Sequence, residues 1–333
     1  MPGKHGTEKY FLSAEILVFL SENIRDGSHR KREEETLHME WITQFITQLI
    51  NGLNVGSVYA LIALGYTMVY GIAKMLNFAH GDVIMVGSYT VYIAISSLKF
   101  PPYLSILVGI IVCTVLGVLV EKIAYKPLRN TSPLTVLITA IGVSYFLQSL
   151  SLLLFGDQQR SFQSLISFAG VEIGGIKMSG NQIVTLLVTV LIMVGLTLFI
   201  NKTKTGSAML AVSEDKGAAE LMGVNVNKTI SLTFAIGSAL AAVAGVLYSS
   251  SYGFIGPYMG AMPGIKAFIA AVLGGIGSIP GAMLGGILLG IIESLSKAYI
   301  STELSDAIVF GILILVLIIR PAGLLGKNRM EKV

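Results

Sequence analysis

The sequence predicts an all-α fold, a polytopic transmembrane helical bundle of about eight spans, give or take about two. Three observations predict it. Hydrophobic residues make up 53% of the chain and charged residues only 13%, whereas a soluble domain carries about a quarter charged residues. Mean hydropathy is +0.76. Several stretches reach the roughly 20 apolar residues needed to cross a hydrocarbon core. Because these runs are continuously apolar rather than alternating, they exclude a transmembrane β-barrel.

Residues 1–38 stand apart. Glu15–Phe19 is briefly apolar, and HRKREEE follows at His29–Glu35. The apolar part is too short for a span and wrongly flanked for a signal peptide. We read 1–38 as a doubtful or disordered N-terminal extension. The membrane domain is expected over 39–327, with a short cytoplasmic tail at 328–333.

Apolar segments follow at 41–71, 78–98, 103–120, 133–155, 182–200, 229–252, 263–298 and 305–320. Two have awkward lengths. Segment 41–71 is too long for one upright helix and too short for two. Segment 263–298 is longer still, and GGIGSIPGA at Gly274–Ala282 interrupts it. Proline removes a backbone donor and glycine loosens a helix, so a break is expected there.

The charges set the orientation. Lys122, Lys126 and Arg129 mark one loop, Lys202, Lys204, Lys216 and Lys228 a second, and Arg320, Lys327, Arg329 and Lys332 the tail. The positive-inside rule makes all three cytoplasmic. An even number of crossings within 263–298 keeps the tail inside, and the same parity question arises at 41–71 if the N-terminus is cytoplasmic. Both segments are therefore expected to be broken or re-entrant. Paired broken helices point to a translocation pathway.

One polar, helix-forming stretch lies between two apolar runs, Asn201 to Lys228. It is rich in small residues, with acids at Glu214, Asp215 and Glu220. Asp215, Ala218, Ala219 and Met222 fall at helical i, i+3, i+4, i+7 spacing, which predicts one shared face. A soluble partner could approach such a helix closely. An ordinary loop helix capped by Ser213 is an equal reading of the same residues. Elsewhere, the spacing of Gly281, Gly285, Gly286 and Gly290 suggests close helix contacts, mainly within the chain.

Polar residues at membrane depth are costly and often functional. Asn77, His80 and Asp82 sit together in NFAHGD. They are pathway candidates together with Gly274, Gly275, Gly277 and Pro280 of the broken segment. In the structural alternative Asn77 is an N-cap and Asp82 complements the helix dipole. Lys266 and Glu293 either pair across the broken segment or snorkel to interfaces. Snorkelling is favoured because both lie near predicted span ends. Glu121 reads as a solvated span end, and Cys113 as a small core residue.

The sequence holds no GxxxxGK[ST] motif, since GLLGKN at Gly323–Asn328 lacks the spacing and the hydroxyl. It has no HExxH, no GxSxG, no metal-spaced His/Cys cluster and no basic–aromatic patch for nucleic acid. No catalytic residue, metal or cofactor is expected in this chain.

GYTMVYGIAKMLNFAHGD (65–82), EKIAYKPLR (121–129), ITAIGVSYFLQ (138–148), the 205–225 loop and IKAFIAAVLGGIGSIPGAMLGGILLGIIE (265–293) resemble the branched-chain amino-acid ABC transporter permeases. The similarity runs from Met39 nearly to the C-terminus. It is strongest to the smaller permease subunit of the high-affinity leucine/isoleucine/valine importers. The resemblance implies a multi-pass subunit in a bacterial inner membrane. Its partners would be a second related permease, two cytoplasmic ABC ATPases that bind the ATP, and a periplasmic amino-acid-binding protein. It also implies that the 205–225 loop docks on an ATPase, with Gly206, Glu214, Asp215, Ala218, Ala219 and Gly223 in the coupling segment. Gly217 stands where the family's EAA-type loop has its first acid. Urea, amide and other amino-acid permeases share much of this pattern. A self-contained secondary transporter or channel is the competing class, with His80, Asp82 and Glu293 as its ionisable groups. The compact loop argues against it, because such a transporter docks no ATPase.

Overall fold

The computed structural model describes residues 7–129, 131–165, 169–173 and 175–326. The chain divides into two compact units, one of residues 1–47 with 174–176, the other of residues 48–173 with 177–333. Helix α1 spans Thr7–Ala73. In the first unit, Thr43 and Thr47 each donate a hydroxyl hydrogen bond one turn back along α1, and Trp41 stacks on Phe45. The expected tail at 328–333 lies outside the described residues.

The second unit is helical throughout its apolar zones. It contains α2 (His80–Ser96), α3 (Pro102–Val120), α4 (Pro133–Phe155), α5 (Gly180–Lys202), α6 (Lys204–Glu214), α7 (Lys216–Leu221) and α8 (Val226–Tyr252). After these come α9 (Ala261–Gly274), α10 (Ile279–Tyr299) and α11 (Ser305–Ile319). Side-chain oxygens cap the starts of several. Ser132 accepts from Thr135 N ahead of Pro133, and Ser179 and Gln182 form a capping box. Asn225 and Ser278 cap α8 and α10.

Among the described residues, six helices are long and apolar enough to cross a membrane: the His38–Ala73 part of α1, Pro102–Leu128, α4, α5, α8 and α10. Helices α9 and α11 are shorter and apolar, and α2 has 17 residues, most of them buried. The protein is thus a polytopic helical membrane bundle. Among the described residues, four short strands supplement it. β1 (Arg160–Ser161) pairs antiparallel with β4 (Phe254–Ile255), while β2 (Val171–Ile173) and β3 (Ile176–Met178) make a second small sheet.

One of the two expected breaks is present. Segment 263–298 is a hairpin of α9 and α10 that turns at Gly275–Ser278, where Gly275 and Gly277 take positive φ values of 105° and 92°. The break expected within 41–71 is absent, because α1 continues uninterrupted to Ala73. No proline lies in that segment. Its glycines serve close packing instead.

A Cβ on Gly52 would meet the backbone of Ile291, and one on Gly56 that of Ile287. Gly286 and Gly290 of α10 lie in turn against Ala60 and Gly56. Two small-residue ridges therefore bring the backbones of α1 and α10 together, as membrane helices do where lipid supplies no hydrophobic drive. Gly281 and Gly285 face α9. The four glycines singled out in the sequence thus pack within the chain, as expected.

Helices α2, α3 and α8 pack on one another through the same device. Gly87 meets Ala242 and Cys113, and Gly117 meets Ser238. Cys113 is fully buried, its thiol donating to Val83 O at 3.5 Å.

The basic loops gather at one end of this unit. Arg129 hydrogen-bonds Asn227, and Lys216 Nζ donates to Ala73 O at 3.0 Å. Leu324 N and Leu325 N donate to Leu273 O and Gly274 O at the hairpin turn, each at 2.9 Å. The end of α1, the start of α8, the 121–129 loop and residues 323–326 therefore share this end with α6 and α7.

Candidate translocation and coupling site

Helix α2 begins inside the bundle rather than at its edge. After α1 ends, Lys74 turns the chain back with a φ of 59°. Met75, Asn77 and Ala79 are then buried on the way in. Asn77 does not cap α2, whose first turn has no side-chain cap. Its Oδ1 instead accepts from the Tyr125 hydroxyl at 2.9 Å. His80, at 1% exposure, lies edge-on to Tyr66 with 4.8 Å between ring centres. It fills the space left by Gly65, where a Cβ would strike its ring. Asp82 Oδ1 accepts from Gln148 Nε2 at 2.9 Å. Asn77, His80 and Asp82 are thus brought to one buried start, each by a different neighbour.

Helix α9 also begins at depth. Gly260 and Gly264 pack against the backbone of Gly81. The starts of two helices, both reached by an inward-turning chain, therefore meet. The glycine turn of the α9–α10 hairpin lies at the other end of α9, about 21 Å away along 14 residues. The structure accordingly separates the pathway candidates into two groups. Asn77, His80 and Asp82 sit at the α2–α9 meeting point, while Gly274, Gly275, Gly277 and Pro280 sit at the basic end. Gly277 touches the site of Gly71, and Pro280 lies exposed in the first turn of α10.

Lys266 and Glu293 do not snorkel. They pair at 2.8 Å with side-chain exposures of 7% and 2%. Glu293 also holds Lys297 at 2.5 Å and accepts from the Tyr59 hydroxyl at 2.9 Å. Lys266 reaches Asp306 of α11 at 2.7 Å. Two acids, two lysines and a phenol thus link α1, α9, α10 and α11 with no net charge. The interior position of both residues in the hairpin, rather than at its ends, explains the departure from the sequence expectation.

Glu121 is likewise no solvated end. It is fully buried, bonded to Arg129 and, at 2.6 Å, to the Ser231 hydroxyl. The helix widens here into a π-helical turn, Glu121–Tyr125, that aims Glu121 and Tyr125 inward.

The 201–228 stretch contains two short helices, α6 and α7, rather than one. Thr203 caps α6, accepting from Gly206 N at 3.0 Å, and a Cβ on Gly206 would collide with the Ile200 backbone. Ser213 caps nothing, since its hydroxyl donates to Leu210 O. Asp215 is the cap of α7, accepting from Ala218 N at 2.9 Å. Gly223 closes α7 with a φ of 83°. The predicted common face divides, with Asp215, Ala218 and Met222 exposed and Ala219 turned into the bundle. Ala219 is buried at 3%, whereas Leu221 and Met222 are 91% and 84% exposed. Glu214 and Ala218 face outward with them. Burial, then the positive charges of Arg129 and Lys74, lowers the Lys216 pKa.

A cavity of about 170 Å³ opens between α1 and α8. Asn51, Asn54 and Val55 line it from α1, and Tyr248, Ser251 and Tyr252 from α8. Sequence reasoning missed this wall. Its signal was available: Asn51 and Asn54, one helical turn apart, are amides inside an apolar run.

A family model described as the branched-chain amino acid transport system permease component matches residues 48–317. The high-affinity branched-chain amino acid transport system permease protein BraD of Pseudomonas aeruginosa is 48% identical over 307 residues, covering 89% of this chain and all of the relative. The corresponding LivH protein of Escherichia coli K12 is 47% identical, covering 88% of this chain and 99% of the relative. A probable branched-chain amino acid permease of Methanocaldococcus jannaschii is 32% identical, covering 82% and 90%. With the match spanning most of the bundle, from the amides of α1 to the last apolar helix, the chain belongs to the branched-chain amino acid transport permease family.

Proposed function

We propose that this chain is one of two membrane subunits of an ATP-driven importer for leucine, isoleucine and valine, resident in a bacterial inner membrane. Its partners on this reading are a second related permease, two cytoplasmic ABC ATPases that bind and hydrolyse the ATP, and a periplasmic amino-acid-binding protein. The observation that carries the proposal is the α6–α7 loop. It presents Leu221 and Met222 almost fully exposed on a short helix that is itself fixed by Ala219, Asp215 and Lys216. Two large apolar side chains held outward on a rigid base suit a soluble partner. The relatives' names supply the substrate and the transport role.

Mechanically, closure of the ATPases pushes α7. The push reaches the end of α1 through the Lys216–Ala73 hydrogen bond and reaches α8 through the short 222–225 connection. Gly206, Glu214, Asp215, Ala218, Ala219 and Gly223 shape this lever. Asn77, His80, Asp82 and the glycine turn at Gly274, Gly275, Gly277 and Pro280 flank the path that the lever opens and closes. The test is to purify the tagged chain from detergent-solubilised native membrane and identify every co-purifying subunit by mass. Two P-loop ATPases and a second permease are expected. A chain that purifies alone and moves solute in liposomes without ATP overturns the proposal.

A further inference from the structure

We infer that this chain carries its own transit site for a zwitterionic amino acid with an apolar side chain, in the cavity between α1 and α8. The inference rests on the importer reading and adds to it where, within this subunit, the substrate is touched.

The cavity is built rather than accidental. Asn51, Asn54 and Val55 share one face of α1 at i, i+3, i+4 spacing, and Tyr248, Ser251 and Tyr252 repeat that spacing on α8. Two side chains of α5 brace it from the side. Gln182 Nε2 donates to Asn51 Oδ1 at 2.8 Å, and Asn181 Nδ2 to Ser251 Oγ at 3.0 Å. Asn54 is only 7% exposed, yet its Oδ1 has no hydrogen-bond partner among the described residues. Asn181 Oδ1 is in the same state. A buried amide oxygen without a partner costs about 1–3 kcal/mol. An unpartnered acceptor on a cavity wall is placed to receive a donor from a ligand.

The chemistry of the wall selects the ligand. The unpartnered Asn54 amide oxygen can accept from an ammonium group, while tyrosine and serine hydroxyls can donate to a carboxylate. Val55 and the tyrosine rings provide an apolar side. No uncompensated charge lies on the wall, because the adjacent Glu293 is matched by Lys266 and Lys297 and Asp306 by Lys266. A net-neutral zwitterion is therefore admitted without opposing a fixed charge. The volume is below the roughly 300 Å³ of pockets for drug-sized ligands, which suits a molecule of amino-acid size. The site is also tied to the moving parts. Tyr59, a turn beyond Val55 on α1, donates to Glu293 of the α9–α10 hairpin, so rearrangement of the hairpin reaches this wall.

The test uses the complete importer in proteoliposomes with loaded binding protein, and reads uptake of leucine and valine beside ATP hydrolysis. Asn54→Leu keeps the volume and removes the acceptor. Ser251→Ala removes one hydroxyl from a half-buried position, so its effect does not depend on the tolerance of the buried site. Val55→Phe narrows the apolar side. The expected result is a fall of about tenfold in leucine uptake for N54L and a smaller fall for S251A, with ATP hydrolysis retained. For V55F the leucine-to-valine uptake ratio falls by about threefold, a change that a merely structural role does not produce. Leucine uptake at the wild-type rate in S251A, together with an unchanged ratio in V55F, overturns the site while leaving the importer reading intact. A wild-type complex that imports neither amino acid overturns both.

Discussion

Lys266 and Glu293 form a 2.8 Å ion pair across the α9–α10 hairpin, with both side chains more than nine-tenths buried. Removing one member of such a pair strands the other in a low-dielectric interior. Lys266→Met leaves Glu293 with Lys297 but removes the lysine that pairs with Asp306. A loss of about 1–3 kcal/mol is expected, from the charge-assisted bonds removed, because Glu293 keeps Lys297 and Asp306 is partly exposed. Lys266→Met combined with Glu293→Leu should recover part of that loss. Thermal unfolding in detergent followed by size-exclusion chromatography measures it. A single variant that melts within about 1 °C of wild type defeats the expectation.

The contact between α1 and α10 predicts a sharp difference between glycines. Gly56→Val places branched atoms into the Ile287 backbone and is expected to cost about 3 kcal/mol through overpacking. Gly311→Ala on α11 meets nothing within 4 Å and should change stability by less than about 0.5 kcal/mol. The same melting assay compares the two. Equal melting temperatures would show that the backbones of α1 and α10 are not in contact.

Much of this fold was legible because bilayer physics writes it into the sequence. A run of about 20 apolar residues and a basic loop need no tertiary information to be read. The Gly274–Ala282 break was equally legible, since glycine and proline act through the backbone. What was illegible depends on which neighbour fills a space. Glu121 next to Lys122 looks like a solvated end, yet a π-helical turn rotates it onto Arg129 and Ser231. Pairing of Lys266 with Glu293 is one of two sequence readings, and only the hairpin geometry decides for it over snorkelling. The face assigned to Asp215, Ala218, Ala219 and Met222 holds for three of the four, while Ala219 joins a buried cluster that spacing alone does not reveal. Asn54 passed unnoticed because one amide in an apolar run is visible in sequence, while its lack of a partner is not.

The split face of α7 gives opposite expectations for neighbouring residues. Leu221→Asp and Met222→Asp alter exposed positions, so stability should stay within about 0.5 kcal/mol of wild type. Uptake should fall by about tenfold or more if these side chains seat on an ATPase at the centre of an interface. Ala219→Trp does the reverse. It forces an indole into a buried site and should destabilise the chain by more than about 2 kcal/mol before coupling is affected. Uptake and melting measured on the same preparations separate the two effects. Normal uptake by the Leu221→Asp, Met222→Asp double variant removes the coupling role.

Lys216 provides a pH signature of its own. Burial, with Arg129 and Lys74 nearby, holds its pKa below that of an ordinary lysine. The folded chain therefore binds this proton less tightly than the unfolded chain. Below the lowered folded value both states are protonated, and the full cost of burying the charge is present. As pH rises from that value towards the ordinary lysine value near 10.5, the folded state sheds its proton first and stability increases. Lys216→Met should remove this alkaline increment. It should also free α7 from Ala73 O, so that ATP hydrolysis continues while uptake falls. Melting curves from neutral to alkaline pH, compared between wild type and K216M, test the first point. Parallel curves across that range would mean that Lys216 titrates as an ordinary surface lysine and that its contact with α1 is not maintained in the membrane.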